Sequence, residues 1–146
     1  MANLEINGYT VIHLDTTLMP SVQEFTGESK KLLSLNCKSM TTPDNSEGVL
    51  TFDISIEVHL PDAQDGKDHD PILVTNAQFM FSFSPDETVS ESELVDMVTT
   101  TGVQVALPIM RGILAGTGNM LNHPDVYDFP SFKPDMIIWQ SENEAE

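Results

Sequence analysis

The 146-residue sequence has a single cysteine, Cys37, and only six lysines and arginines against 23 aspartates and glutamates. One cysteine excludes an intramolecular disulfide, so nothing covalent closes the chain on itself. Its place in the alternation Leu33, Leu35, Cys37 puts it on the apolar face of a strand, as a buried structural thiol. The scarcity of basic residues leaves a formal net charge of −17. Such a charge repels phosphate backbones and anionic lipid surfaces, which argues against nucleic acid as a partner. The same charge serves solubility, and at low salt it attracts a basic partner or a basic unfolded segment. The sequence also lacks an apolar run approaching the roughly 18 residues of a membrane span. Its opening, MANLEINGYTVIHLD, has neither the basic nor the continuous apolar segment of a signal sequence. The expectation is a cytoplasmic chain without membrane insertion.

What is present suffices for one packed core. The apolar fraction is 40%, with seven Phe and eight Met, and a chain of this length buries roughly 68 to 70% of its unfolded surface. We read one α+β domain over residues 1–140, followed by an acidic tail, Ser141 to Glu146.

The clearest local pattern is Val49 to Leu60. Leu50, Phe52, Ile54, Ile56, Val58 and Leu60 point one way, while Val49, Thr51, Asp53, Ser55, Glu57 and His59 point the other. One dry and one wet face imply an antiparallel sheet, because parallel sheets are covered on both sides. Three further segments join it. Leu4 to Leu14 carries Ile6, Ile12 and Leu14 on one face and Tyr9, Val11 and His13 on the other; Lys30 to Lys38 carries Leu33, Leu35 and Cys37. Ile72 to Ser84 carries Leu73, Ala77, Phe79, Phe81 and Phe83, with Ile72, Val74 and Met80 making its opposite face partly apolar. Turn-forming residues fall between them, at Met19-Pro20-Ser21, Thr42-Pro43-Asp44-Asn45 and the acidic stretch Pro61 to Pro71.

Beyond the fourth strand the period changes. Ser90-Glu-Ser-Glu93 is a capping box, flanked by Val89 and Leu94 at staple positions, which predicts a helix start. The apolar set Leu94, Val98, Val103, Leu107, Met110, Ile113 and Leu114 surrounds most of that helix, so both of its sides are expected to be covered. Gly112 and Gly116 either admit a second helix at close range or loosen the helix end before Gly118. Pro108 is expected to kink or interrupt it. An aromatic, proline-rich loop follows from His123 to Pro134, then a short second helix over Asp135 to Gln140.

Motifs that carry chemistry are sparse. The stretch Asp62 to Asp70 holds four aspartates and His69, but Gln64 is uncharged and Gly66 falls one place early for a calcium loop, so it reads as a solvated loop rather than a metal site. Gly116-Thr-Gly118 follows a helix instead of joining a strand to one, which excludes a nucleotide-binding turn. The four histidines are scattered, and no serine sits in a Gly-x-Ser-x-Gly elbow. No catalytic group, metal or cofactor is assigned; an enzyme would need distant residues to converge, such as Glu57 with His13.

The order of four antiparallel strands, a long interrupted helix, a Pro-rich loop and a short terminal helix resembles that of the SecB family of bacterial protein-export chaperones. Val105-Ala-Leu-Pro108-Ile-Met-Arg111 is similar to the family's Leu-Phe-Pro-Tyr-Ala-Arg helix segment, with Pro108 and Arg111 on the matching proline and arginine. Phe79-Met-Phe-Ser-Phe83 resembles its last strand, and Phe129-Pro130-Ser-Phe132 its Leu-x-Pro-x-x-Phe loop. Gln78 and Phe79 stand where the family carries glycine, and the loop's Pro-Val-Asn-Phe piece is absent. The resemblance therefore points to a diverged branch of the fold.

It implies an ATP-independent chaperone, a homodimer or homotetramer, that holds unfolded or extended polypeptides in apolar grooves between sheet and helix. Phe79, Phe81, Phe83, Met110 and Leu114 are the groove candidates, although apolar side chains at strand and helix spacing are normally core. Ile109, Gly112, Ile113 and Gly116 would form the helix-on-helix interface. Asp53, Ser55 and Glu57 would offer the acidic face on which the family docks its translocation ATPase. The alternative within the same fold is an adaptor, of antitoxin type, for one specific protein partner.

Overall fold

The computed structural model describes residues 2–20, 30–59, 71–118 and 132–140. Strands β1 (Leu4–Leu18), β2 (Lys30–Thr41), β3 (Gly48–His59) and β4 (Leu73–Pro85) precede a helix made of α1 (Glu91–Met97), a π-helical turn (Val98–Gly102) and α2 (Val103–Gly118). A 3-10 turn (Pro134–Met136) and strand β5 (Ile138–Trp139) end the described chain. The acidic stretch from Asp62 to Asp70, the loop from His123 to Ser131 and the tail from Ser141 lie outside the described residues.

The four long strands form an antiparallel sheet, as their alternation requires, in the order β1-β4-β3-β2. A fifth, β5, adds to β2 in parallel at Asn36 and Cys37, so the sheet is mixed and five-stranded. The expected short helix over Asp135 to Gln140 is thus corrected. Pro134 starts one 3-10 turn, and Ile137 is already extended at φ −74°, ψ 129°. The apolar residues there then serve an open sheet edge. The β2–β3 connection closes on Asn45, whose φ of 58° is the left-handed conformation that Asn tolerates. Asp44 braces the turn, accepting from Ser46 Oγ at 2.7 Å and Thr42 Oγ1 at 2.8 Å, bonds that hold its carboxyl below its ordinary value.

The core lies between one face of the sheet and the helix. Leu50, Phe52, Ile54, Ile56 and Val58 of β3 alternate inward, each at most 3% exposed. Ser90 caps the helix as its sequence predicts, with Oγ accepting from Glu93 N–H at 3.2 Å, and Val89 and Leu94 are buried beside it. Residues from Glu91 to Gly116 are long and apolar enough to cross a membrane, but Leu94, Val98, Ala106, Met110 and Leu114 are buried at 1% exposure or less in the core.

Those buried positions, with Gly102, recur every four residues. In a 3.6-residue helix each such step overshoots a turn by about 40°, and the wide π turn offsets part of this drift. Thr99 and Thr100 hydroxyls bond back to the carbonyls of Val95 and Asp96, which the wide turn leaves poorly served. The helix continues through Pro108, contrary to the expected interruption. Gln104, four residues earlier, is exposed, as is Pro108, so the carbonyl that loses its partner faces water.

Two predictions follow from this packing. A Cβ on Gly48 would come 2.5 Å from Val98 Cγ2, and Val98 is β-branched and stiff. Gly48→Ala should therefore destabilise the fold by about 1–3 kcal/mol in urea unfolding. Burial, and secondarily the charge of Asp53, push the Cys37 thiol up to about 12. At pH 8 the native chain should resist iodoacetamide, remain resistant as pH rises past the ordinary thiol value of 9.0, and be alkylated once unfolded, as read by mass spectrometry.

Candidate functional site

Three surfaces can be built upward from the strands and the helix: the inner face of β1, the outer face of the sheet and the solvent side of α2. Phe79, Phe81 and Phe83 lie on the inner face of β4, at most 1% exposed, and Met110 and Leu114 of α2 are fully buried. Phe81 meets Phe52 edge-on at 5.8 Å between centroids and stacks with Phe83 at 6.4 Å. These five side chains are closed core, and none presents surface to a ligand in this structure. The reason is geometric, since the helix crosses the sheet face on which the three phenylalanines lie and brings Gly102 against Phe83.

The exposed apolar surface is instead on β1. Extra residues at Asn7 and Ile12 shift its register against β4. Ile6, Tyr9, Val11 and Leu14 consequently lie opposite Phe83, Phe81, Phe79 and Ala77 and share their inner face, while His13 lies opposite Gln78 on the outer one. The simple alternation expected over Leu4 to Leu14, with Tyr9 and Val11 facing with His13, is corrected by these bulges. Ile6, Tyr9, Val11 and Leu14 remain 41%, 49%, 39% and 36% exposed. Tyr9 stacks on Phe81 at 5.6 Å, joining this strip to the core.

On the outer face, Asn36, Asp53, Gln78 and His13 occupy one cross-strand row from β2 to β1. Together with Ser55 and Asn76 they line a shallow depression of about 270 Å³. Asp53 and Ser55 thus converge there, whereas Glu57 stands farther along β3, 3.3 Å from His59 Nε2. Glu57 lies opposite Val74 and His13 opposite Gln78, a separation of about 13 Å along the sheet alone. They form no acid–base pair. Among the described residues no group of three or more His, Cys, Asp or Glu is placed to hold a metal ion.

On α2, Ile109 and Ile113 are half-buried, and Gly112 and Gly116 are exposed, with no atom within 4 Å of where a Cβ would stand. The two glycines therefore serve no packing within the described chain. Arg111 and Pro108 are exposed on the same helix, and Phe132 is buried at 9% exposure. Phe129 and Pro130 lie outside the described residues.

No protein-family model matches the chain, and no curated protein does. Among solved structures it is similar to the Mycobacterium tuberculosis SecB-like chaperone Rv1957, determined in complex with a ChAD peptide from the Rv1956 HigA1 antitoxin. The superposition has a TM-score of 0.59 at 14% sequence identity and covers 89% of this chain and 87% of that one. The identity is too low to carry residue roles across, but the coverage spans strands and helix alike. The chain has a SecB-like fold.

Proposed function

We propose that this protein is an ATP-independent, SecB-like chaperone that binds extended or unfolded polypeptide segments. The observation that carries this reading is the uncovered apolar strip Ile6, Tyr9, Val11 and Leu14, beside a closed core. Contiguous exposed apolar surface on a chain this acidic is costly to keep unless something covers it. The antitoxin peptide bound by the similar chaperone supports a polypeptide partner. The strip takes the role expected of Phe79, Phe81, Phe83, Met110 and Leu114, which a ligand would reach only if the helix lifted.

A second reading, an adaptor for one specific protein, is favoured by that same bound peptide, which comes from a single antitoxin. In either case Asp53, Ser55 and Glu57 form an acidic surface for docking a basic protein partner, such as a translocase component, and Ile109, Gly112, Ile113 and Gly116 form a homodimer or homotetramer interface. An open helix face with glycines four residues apart is what close helix packing needs.

In stoichiometric amounts the protein should suppress aggregation of a chemically unfolded substrate, followed by light scattering. Val11→Asp should weaken client binding about tenfold while leaving the melting temperature little changed. Absence of suppression by the unmodified protein sinks the chaperone reading, and capture of one dominant folded partner favours the adaptor. For the helix face, Gly112→Ala should raise stability by about 1 kcal/mol through helix propensity alone. Gly112→Leu should shift the species seen by light-scattering chromatography toward the monomer, and an unchanged mass would exclude that interface.

A further inference from the structure

Strand β2 is paired with β3 from Lys30 to Thr41 without a register shift, whereas β1 carries two. Bulges blunt β1 as a template for another strand, but β2 has no such protection. On its other side, among the described residues, β2 pairs only with β5, at Asn36 and Cys37. The Cys37 carbonyl accepts from Gln140 N–H at 2.8 Å, so the backbone of Cys37 points away from β3. By the alternation of an antiparallel ladder, Leu33, Leu35 and Ser39 point the same way. No strand meets them on that side among the described residues.

The resident strand is short and lightly held. Phe132 and Ile137 anchor its base at 9% exposure each, but Ile138 and Trp139 are 55% and 42% exposed. Four residues to either side of Asn36, on the outer face of β2, stand Leu32 and Met40, 48% and 50% exposed. A longer strand on this edge would make more main-chain bonds than β5 does, and its alternate side chains would cover Leu32 and Met40. Main-chain bonds supply affinity without demanding a sequence, while the two apolar residues favour large apolar side chains.

We infer that the β2 edge is a strand-addition site for extended polypeptide segments with large apolar side chains, its middle held by the chain's own Ile138–Gln140 as a displaceable stand-in. This rests on the polypeptide-binding reading and gives it a second surface, at the opposite edge from the β1 strip. Because the stand-in is part of the same chain, an incoming segment must outcompete it, so short or weakly apolar segments are rejected.

The test uses the full chain and two probes: a dye-labelled peptide of repeating Thr-Ile, and its counterpart with every peptide nitrogen methylated. Affinity is read by fluorescence anisotropy. Displacement is read from Trp139, the sole tryptophan of the sequence, whose emission should shift to the red as β5 leaves the edge. The unmethylated peptide should bind and produce the shift, and the methylated one should bind more weakly, through the β1 strip alone, and leave Trp139 unshifted. Gln140→Pro removes the N–H that Cys37 accepts and the side-chain amide that donates to Asn36 Oδ1 at 3.0 Å, and it should tighten binding at least about fivefold, the worth of one such bond or more. Ser39→Pro removes an edge N–H without touching a β3 bond and should weaken binding by a similar factor.

Equal binding of the two peptides, no effect of Gln140→Pro, or an unchanged Trp139 emission at saturation would each overturn the proposal. Aggregation suppression that persists alongside any of these leaves the chaperone reading standing and removes only the edge. Peptide addition at the edge without suppression would do the reverse.

Discussion

An α-helix with its side chains is about 10–12 Å across, while four strands about 4.8 Å apart present an apolar face wider than one helix can roof. The helix from Glu91 crosses that face with α1 against β2 and the π turn over β3 and against part of β1, and it leaves Tyr9, Val11 and Leu14 of β1 largely exposed. Much else follows from this mismatch of widths. The phenylalanines of β3 and β4 become core, whereas Ile6, Tyr9, Val11 and Leu14 of β1 stay partly in water and only Leu4 and Leu18 at its ends pack against the core. A chain with one long helix and this sheet must either pair with something or carry an exposed strip.

The two faces of the sheet answer to different physics. Inside, burial of Phe52, Phe79, Phe81 and Phe83 provides the driving force, and Thr75, the one buried polar side chain among the described residues, shares a hydrogen bond with the Thr16 hydroxyl at 3.0 Å. Outside, the row Asn36, Asp53, Gln78, His13 is polar from edge to edge. Its acidic character arises from the general excess of carboxylates over six basic side chains. The charge therefore sits on the surface and leaves the fold to apolar burial.

Much of this architecture was legible in the residues. The alternation of β3, the capping box at Ser90 and the inward set on β4 each rest on short-range periodicity, and each reappears in the structure. That the groove candidates are covered was beyond the reach of periodicity, because inward-facing strand residues become surface or core according to where the helix lands. On β1 the extra residues Asn7 and Ile12 reset the alternation twice, which moved Tyr9 and Val11 to the apolar face. Strand β5 was hidden because two residues are too few to show a period, and only the open edge of β2 makes Ile138 and Trp139 extended. The run Pro108 and Arg111, by contrast, pointed to the fold without any knowledge of packing.

The π turn has a consequence in evolutionary terms. A turn that is one residue too wide is what remains when a helix accepts a single-residue insertion without losing its footing. Here three threonines, Thr99, Thr100 and Thr101, occupy that turn. Removing one of them would make the step from Val98 to the next inward position three residues instead of four, a step that regular helix also places on one face, so Met110 and Leu114 would still meet the sheet. The stretch between Val98 and Gly102 is therefore where this helix can gain or lose a single residue while everything downstream keeps its face to the core.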